Sequence, residues 1–530
     1  MERNIVDFIE NHVEEVADLA AKHGDSLWRV KKNGRPADQR IYAERAEALQ
    51  NVYANRENFA RVRTYDDEHL SNEIGTQRQI HLMRLRFAAA QVPIQRSERM
   101  AELVGEIDQI SHTYRVHVGS KKFSLIEVRE NLAESNDKKL RKALWMGARS
   151  DLGEDVGDHA IRLVGVRNRT ARDLGYSNFF QMTLKLKEID ETFLTKLLNK
   201  LVSTTEAEFT QSKEELDVEL RTRFKLRVKS IPPWMYGELF FRSQPAEKPL
   251  GFDKLYAGKD LAALAAKAMT SIGFDIESIL AKSELHADDT KNTESTCIQV
   301  DRRRKGTRIH ANIVDDESSM TMLMSDLGRA VYYENIGTNL PFLLREPSHD
   351  LILNAIGLLF AQETRTLTFL SDIVEGNKST VARLMDLNES ENKRDRLLTA
   401  RWLPMIIYFE RSLYDNPGRD MTRIWWDLAQ IFQKIEEPPE VKGKKEWAAN
   451  IELAKTPVDH QNQLLCTLIA SQFRQAIEEA TGMRNIVGNP GAKDFLVERI
   501  FAPGATDTWA DMIEKATGRP LSVDSFVAGY

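Results

Sequence analysis

Three neighbouring polar residues have types and a spacing that could do chemistry. Ser325 and Arg329 lie four residues apart, so on a helix they share a face, and Asp326 directly follows Ser325. A serine beside a carboxylate suggests a nucleophile, but no histidine or lysine lies within helical reach to activate the hydroxyl. We therefore expect Asp326 to pair with Arg329 rather than to act as a base.

A fourth polar residue, Asn354, is the single polar side chain between Leu351 and Ala361. Because a helix that is apolar on all sides is buried, we expect Asn354 to be buried too. A buried amide without hydrogen-bond partners costs about 1–3 kcal/mol. The sequence therefore predicts that Asn354 is hydrogen-bonded inside the protein.

The remaining metal-ligating side chains form no familiar motif. Cys297 and Cys466 are far apart and neither belongs to a Cys-x-x-Cys pair, which excludes a cysteine zinc site. His310, His349 and His460 could hold a metal only in an unfamiliar geometry. An enzyme with such an unrecognised metal site stays an alternative, and the preferred interpretation has no metal and no cofactor.

Composition narrows the class of protein. The 530 residues carry 74 basic and 80 acidic side chains, a net charge of −6, so there is no basic field to attract nucleic acid. The first residues are acidic rather than basic and apolar, and no stretch approaches the length of a membrane-spanning helix. We expect a cytoplasmic, soluble protein without nucleic-acid or membrane partners.

The elements that position these residues are mostly helices. Glycine and proline are scarce, with 27 and 16 residues, and apolar residues recur every three or four positions, as in Met320, Met324, Leu327 and Val331. The exception is a hairpin predicted between 297 and 314. We expect one domain over 1–530, in which an N-terminal helical half, 1–230, interleaves with a C-terminal half, 231–530.

Seven motifs carry a resemblance to a known family. In chain order they are Ala171–Tyr176, Cys297–Asp301, Leu344–Pro347, Phe409–Tyr414, Trp425–Leu428, Phe501–Ala505 and Ala516–Leu521. They resemble bacterial members of the angiotensin-converting-enzyme family of zinc peptidyl-dipeptidases. The resemblance implies an almost all-helical gluzincin fold, an ellipsoid with a long central cleft, a zinc ion at its floor, N-terminal helices as a lid and a small β-structure near the cleft.

The zinc motif of that family is altered in this chain. Family enzymes carry His-Glu-x-x-His, whose histidines bind zinc and whose glutamate is the general base. In the frame anchored on Gly328 and 330–332, this chain has Ser325, Asp326 and Arg329 instead. Asp326 corresponds to the general base, and its carboxylate side chain is one methylene shorter than that of the family's glutamate.

The resemblance implies further losses outside this helix. The family's third zinc ligand, a glutamate, corresponds to Asn354, and a tyrosine that steadies the oxyanion corresponds to Gln463. We therefore expect a degenerate member without zinc. In the family geometry Arg329 would fill the metal position, with Asp326 and Asn354 as its partners.

The resemblance also implies a place for a peptide. In the family a short edge strand beside the zinc helix pairs with the substrate, and here Arg308, His310 and Asn312 lie on the matching strand, with His349 and His460 as further candidate contacts. The preferred hypothesis is a pseudopeptidase that binds a peptide or protein segment without cleaving it. The alternatives are an active metallopeptidase and a purely structural subunit that pairs with a partner.

Overall fold

The computed structural model describes residues 2–71, 73–244, 251–288 and 294–529. The expected mainly helical fold is confirmed, since these residues form many helices and two small sheets. Up to the first residues of the second sheet, the elements are α1 (Glu2–Asn33), α2 (Pro36–Tyr53), α3 (Arg56–Asp67), α4 (Ile74–Ala89), α5 (Ile94–Thr113), β1 (Val116–Val118), β2 (Lys121–Phe123), α6 (Leu125–Glu134), α7 (Lys138–Met146), α8 (Leu152–Asp173), α9 (Phe179–Leu186), α10 (Glu191–Thr204), α11 (Glu206–Phe224), α12 (Asp253–Tyr256), α13 (Leu261–Ile272) and α14 (Glu277–Lys282).

The second half of the order holds the elements that carry the predicted site. They are β3 (Glu284–His286), β4 (Thr296–Gln299), β5 (Thr307–Ile313), α15 (Glu317–Glu334), α16 (Asp350–Ala361), α17 (Lys378–Asp415), α18 (Met421–Leu428), α19 (Glu452–Lys455), α20 (His460–Thr481), α21 (Gly491–Leu496), α22 (Trp509–Thr517) and α23 (Asp524–Val527). Within the described ranges, every helix is too short or too polar to cross a membrane.

Helix α15 carries the apolar stripe that its spacing predicts. Met320, Met324, Leu327 and Val331 are all buried. The helix begins where the Asp316 carboxylate accepts a hydrogen bond from the Ser319 N–H at 2.7 Å, which satisfies one of the free amides of the first turn. Burial of this stripe therefore fixes which residues of α15 face the other way.

The predicted hairpin is confirmed as β4 and β5, which pair antiparallel with Cys297 opposite Ile309. A short strand that the sequence did not predict, β3, pairs parallel with the other side of β5. The strand order is therefore β3-β5-β4. The Glu334 carboxylate, at the end of α15, accepts from the backbone N–H groups of Gly306 and Thr307 at 3.0 and 2.8 Å, which ties the hairpin turn to the helix.

The chain forms two compact units, each assembled from separate segments. Unit 1 contains Met1–Gln91, Leu250–Asn388 and Leu465–Gly529, and unit 2 contains Val92–Pro249 and Glu389–Leu464. Neither unit coincides with the halves 1–230 and 231–530, because residues far apart in the sequence pack together within each unit. Two of the boundaries, 388/389 and 464/465, fall inside α17 and α20.

In unit 1 the N-terminal helices share one apolar cluster. It contains Ile5, Phe8, Ile9, Val62, Ile80, Met83, Phe87 and Leu343. His12 of α1 lies beside this cluster with 4 % of its surface exposed, and its ring contacts Tyr53 and Phe87 at centroid distances of 5.2 and 5.5 Å. A polar ring is therefore packed among aromatic side chains.

Unit 2 holds a buried ion pair enclosed by aromatic rings. Arg149 lies on a π-helical turn, Gly147–Asp151, and its Nη2 is 2.6 Å from Glu446 Oε2. The guanidinium lies 4.3 Å from the Phe240 ring centroid and 5.0 Å from that of Trp145. Burial raises the pKa of Glu446 to about 7, and Arg149 opposes that rise.

Candidate functional site

The residues predicted to correspond to the family's zinc motif lie on α15 and α16, which pack against each other in unit 1. Each helix contributes a glycine to the contact. A Cβ at Gly328 would lie 2.8 Å from the Phe360 ring, and a Cβ at Gly357 would lie 2.9 Å from Ser325 Oγ and 3.0 Å from Arg329 Cζ. The side chains of Ser325 and Arg329 therefore converge over Gly357, in space that a larger residue would fill.

The predicted ion pair between Asp326 and Arg329 is present. Arg329 Nη1 donates to Asp326 Oδ1 at 2.7 Å, and the Ser295 hydroxyl donates to the other oxygen, Oδ2. The Asp326 side chain is 3 % exposed and that of Arg329 is 29 % exposed. Because both oxygens of Asp326 already accept hydrogen bonds, the carboxylate is held as a structural anchor rather than presented as a base.

The expectation that Asn354 is buried is wrong, because its side chain is exposed. Helix α16 is not covered on all sides: Asn354, Leu358 and Ala361 form a stripe that is exposed or half-buried. Because Leu358 and Ala361 of that stripe are apolar, the sequence pattern indicated a helix that is buried on all sides. No hydrogen bond between Arg329 and Asn354 is present among the described residues, so this half of the expected polar network is absent there.

The residues at the three ligand positions do not fit a zinc ion. Ser325, Arg329 and Asn354 offer a hydroxyl, a guanidinium and an amide, and a guanidinium is a permanent cation without a lone pair for a metal. Arg329 is moreover engaged with Asp326, the position of the family's base. Across the described part of the chain, no group of three or more His, Cys, Asp or Glu side chains is arranged to hold a metal.

The strand that was expected to bind a peptide is not an edge strand. β5 lies between β3 and β4, so its backbone already has neighbours on both sides. Its candidate side chains are also engaged: His310 is 0 % exposed, the Arg308 guanidinium lies 5.3 Å from the Trp28 ring centroid, and Asn312 exchanges two hydrogen bonds with the backbone of Asp288. The interpretation of β5 as a docking edge is therefore corrected.

The outer edge of this sheet near α15 is β4 instead. A cavity of about 330 Å³ lies beside it, between β4 and α1. The α1 wall is smooth because small residues recur there every three or four positions; it is formed by Ala17, Ala20, Ala21 and Gly24. At Gly24 the backbones meet so closely that a Cβ would lie 2.6 Å from the Val300 carbonyl oxygen.

The start of β4 lies next to both the cavity and Asp326. Ser295, which donates to Asp326, directly precedes β4, and Cys297 of β4 lines the cavity. Burial and the Asp326 carboxylate both raise the pKa of the Cys297 thiol, so this thiol stays protonated at neutral pH. The spacing of small residues on α1 is a sequence signal that could have indicated this wall. The contact of Ser295 with Asp326, 31 positions away, has no such signal.

The other predicted contacts are placed elsewhere. His349 is the N-cap of α16, and its Nδ1 accepts from the Leu351 N–H at 2.9 Å. In unit 2, His460 is 2 % exposed with Nδ1 3.5 Å from Glu410 Oε2, and Gln463 is exposed. The alternative of a metal held by His310, His349 and His460 finds no support, since they form no metal-binding group among the described residues.

A comparison with known families gives a match over the N-terminal two fifths of the chain. Residues 1–211 match the peptidase M2 family, described as angiotensin-converting enzyme. The family resemblance inferred from the sequence is thus confirmed over this range, which spans α1 to the start of α11. No curated protein matches the chain.

The peptidase M2 match contains one of the seven motifs that suggested the family, Ala171–Tyr176. It also contains α1, which forms one wall of the cavity. The match ends before β4, α15 and α16, so the altered ligand positions lie in a part of the chain that the family match does not reach.

Proposed function

We propose that this chain is a pseudopeptidase that holds an extended peptide or protein segment and does not hydrolyse it. The observation that carries the proposal is the ion pair of Asp326 and Arg329 at the positions of the family's base and second histidine. A fixed cation opposes the approach of a divalent metal, and the carboxylate that could activate water is occupied.

The edge of β4 is where we place the bound chain. The strand order leaves one side of β4 without a neighbouring strand among the described residues, and alternate residues of an antiparallel strand direct N–H and C=O groups outward. An extended peptide would add to this edge as a further strand, and the adjoining cavity of about 330 Å³ would receive one of its side chains.

The absence of hydrolysis is tested by metal content and by cleavage assays. We expect protein purified without chelators to contain no stoichiometric zinc and to leave short peptides intact. Close to one zinc per chain together with chelator-sensitive cleavage would refute the proposal and favour the active metallopeptidase. As a positive control, the combined change Ser325→His, Asp326→Glu, Arg329→His and Asn354→Glu should bind zinc where the parent does not.

Peptide binding is tested by capture from a random library of octapeptides, followed by fluorescence anisotropy. The variant Ala20→Phe places a ring in the cavity and should weaken binding at least tenfold. The matched control Lys22→Phe adds the same ring on the exposed face of α1 and should bind like the parent. Equal affinities of all three proteins would exclude the cavity, and capture of no peptide at all would favour a purely structural subunit.

A further inference from the structure

The Asp326–Arg329 pair leaves N–H donors of Arg329 available to a ligand. A guanidinium has five N–H donors in a planar fork. Among the described residues Arg329 uses one of them, on Asp326, and 29 % of its side chain is exposed. Both oxygens of the buried carboxylate accept hydrogen bonds, whereas the described hydrogen bonds use one donor of the guanidinium.

Two further donors accompany Arg329. The Ser325 hydroxyl and the Arg329 guanidinium both lie about 3 Å from the point where Gly357 lacks a Cβ. Asn354 is exposed one turn before Gly357 on the same helix, so its amide lies on the neighbouring part of that face. No described hydrogen bond uses the side chain of Ser325 or of Asn354.

The chemistry of this set is that of an anion receptor. Hydroxyl, amide and guanidinium all donate, and the Asp326 carboxylate, which Arg329 contacts, is buried and also accepts from Ser295. Because Asp326 balances the charge of Arg329, recognition would depend on the hydrogen-bonding fork rather than on net charge. A planar carboxylate accepts two parallel N–H groups from such a fork.

We propose that Arg329, Ser325 and Asn354 form a receptor for a carboxylate of the bound peptide. This inference rests on the proposed function, because Ser295 joins the start of β4 to Asp326 and so brings a peptide on that edge close to Arg329. The carboxylate is either the C-terminus of the peptide or an acidic side chain. In the family the histidine at the position of Arg329 binds a zinc ion. Here the Arg329 guanidinium would bind the carboxylate of the peptide.

The experiment uses four fluorescein-labelled octapeptides of alternating valine and threonine. The first peptide ends in a free carboxylate and the second in an amide. The other two also end in an amide, and one carries a central glutamate whereas the other carries a central glutamine. We expect at least a tenfold tighter Kd, about 1.4 kcal/mol, for one of the two acidic peptides over its neutral match. The C-terminal pair and the side-chain pair distinguish the two sources of the carboxylate.

Variants at Asn354 test the site without disturbing the ion pair. Asn354→Asp adds a negative charge to an exposed position and should abolish the preference for the acidic peptide, whereas Asn354→Ala should reduce it only in part. The neutral peptide should bind all three proteins alike. Equal binding of acidic and neutral peptides would overturn the receptor and leave the pseudopeptidase standing, while failure of all four peptides to bind would refute both.

Discussion

Replacing His12 by leucine should remove an acid sensitivity from the N-terminal helices. His12 is almost fully buried, its Nε2 has no hydrogen-bond partner among the described residues, and it lies against Tyr53 and Phe87. Burial, and secondarily the charge of Arg86, lower the pKa of His12 from 6.5 to about 4. The ring is therefore neutral in the folded protein at neutral pH.

The sign of the effect follows from which state binds the proton. Below pH 6.5 the unfolded chain protonates His12, whereas the folded chain resists protonation until about pH 4. The contribution of His12 to stability is thus fully present above pH 6.5 and is lost as the pH falls toward 4. The full loss is on the order of 3 kcal/mol, since each pKa unit corresponds to about 1.4 kcal/mol.

The assay is urea unfolding of the parent and of His12→Leu at pH 8, 6 and 5. Tryptophan fluorescence, to which all eight tryptophans of the chain contribute, reports unfolding. Other groups titrate in both proteins, so the difference between their unfolding free energies isolates His12. We expect leucine to gain about 2 kcal/mol over the parent between pH 8 and pH 5. Parallel pH profiles would refute the reasoning.

Two other predictions concern the helix contact and the second unit. Gly357→Ala should lower stability by about 1–3 kcal/mol, because its Cβ would overlap Ser325 and Arg329, whereas Gly105→Ala, with open space around it, should raise stability by up to about 1 kcal/mol in the same melting assay. Because burial raises the pKa of Glu446 from 4.5 to about 7, its contribution to stability is fully present below pH 4.5 and is lost as the pH rises through 7. Glu446→Gln should therefore flatten the pH profile between 5 and 8; a profile unchanged from the parent would show that Glu446 is ionised throughout.

Local patterns predicted the elements of the site well. The stripe of α15 and the hairpin of β4 and β5 follow from periods of three to four and of two residues, and the Asp326–Arg329 pair follows from its spacing on one helix. Strand β3 has three residues, too few for any alternation to be recognised. Features that depend on a single helix or a single hairpin could thus be predicted from the sequence.

Contacts between distant segments could not be predicted in this way. Whether β5 is central or at an edge depends on where β3 docks, and the exposure of Asn354 depends on which side of α16 its neighbours leave open. The hydrogen bond from Ser295 to Asp326 likewise has no local signal. These features decide which strand can accept a ligand, which is why the sequence predicts β5 as the docking strand whereas we propose β4.

The division of each unit among separate segments has a consequence for biosynthesis. On the ribosome, both segments of unit 2 are complete once residue 464 has been made, whereas unit 1 still lacks Leu465–Gly529. At about 5–20 residues per second, that last segment takes several seconds or more to synthesise. The apolar residues of α1, such as Ile5 and Phe8, also pack with Leu343, which is synthesised hundreds of residues after them. Nascent chains should therefore need a chaperone to cover the first helices, and deletion of Leu465–Gly529 should give aggregated protein rather than a smaller folded one.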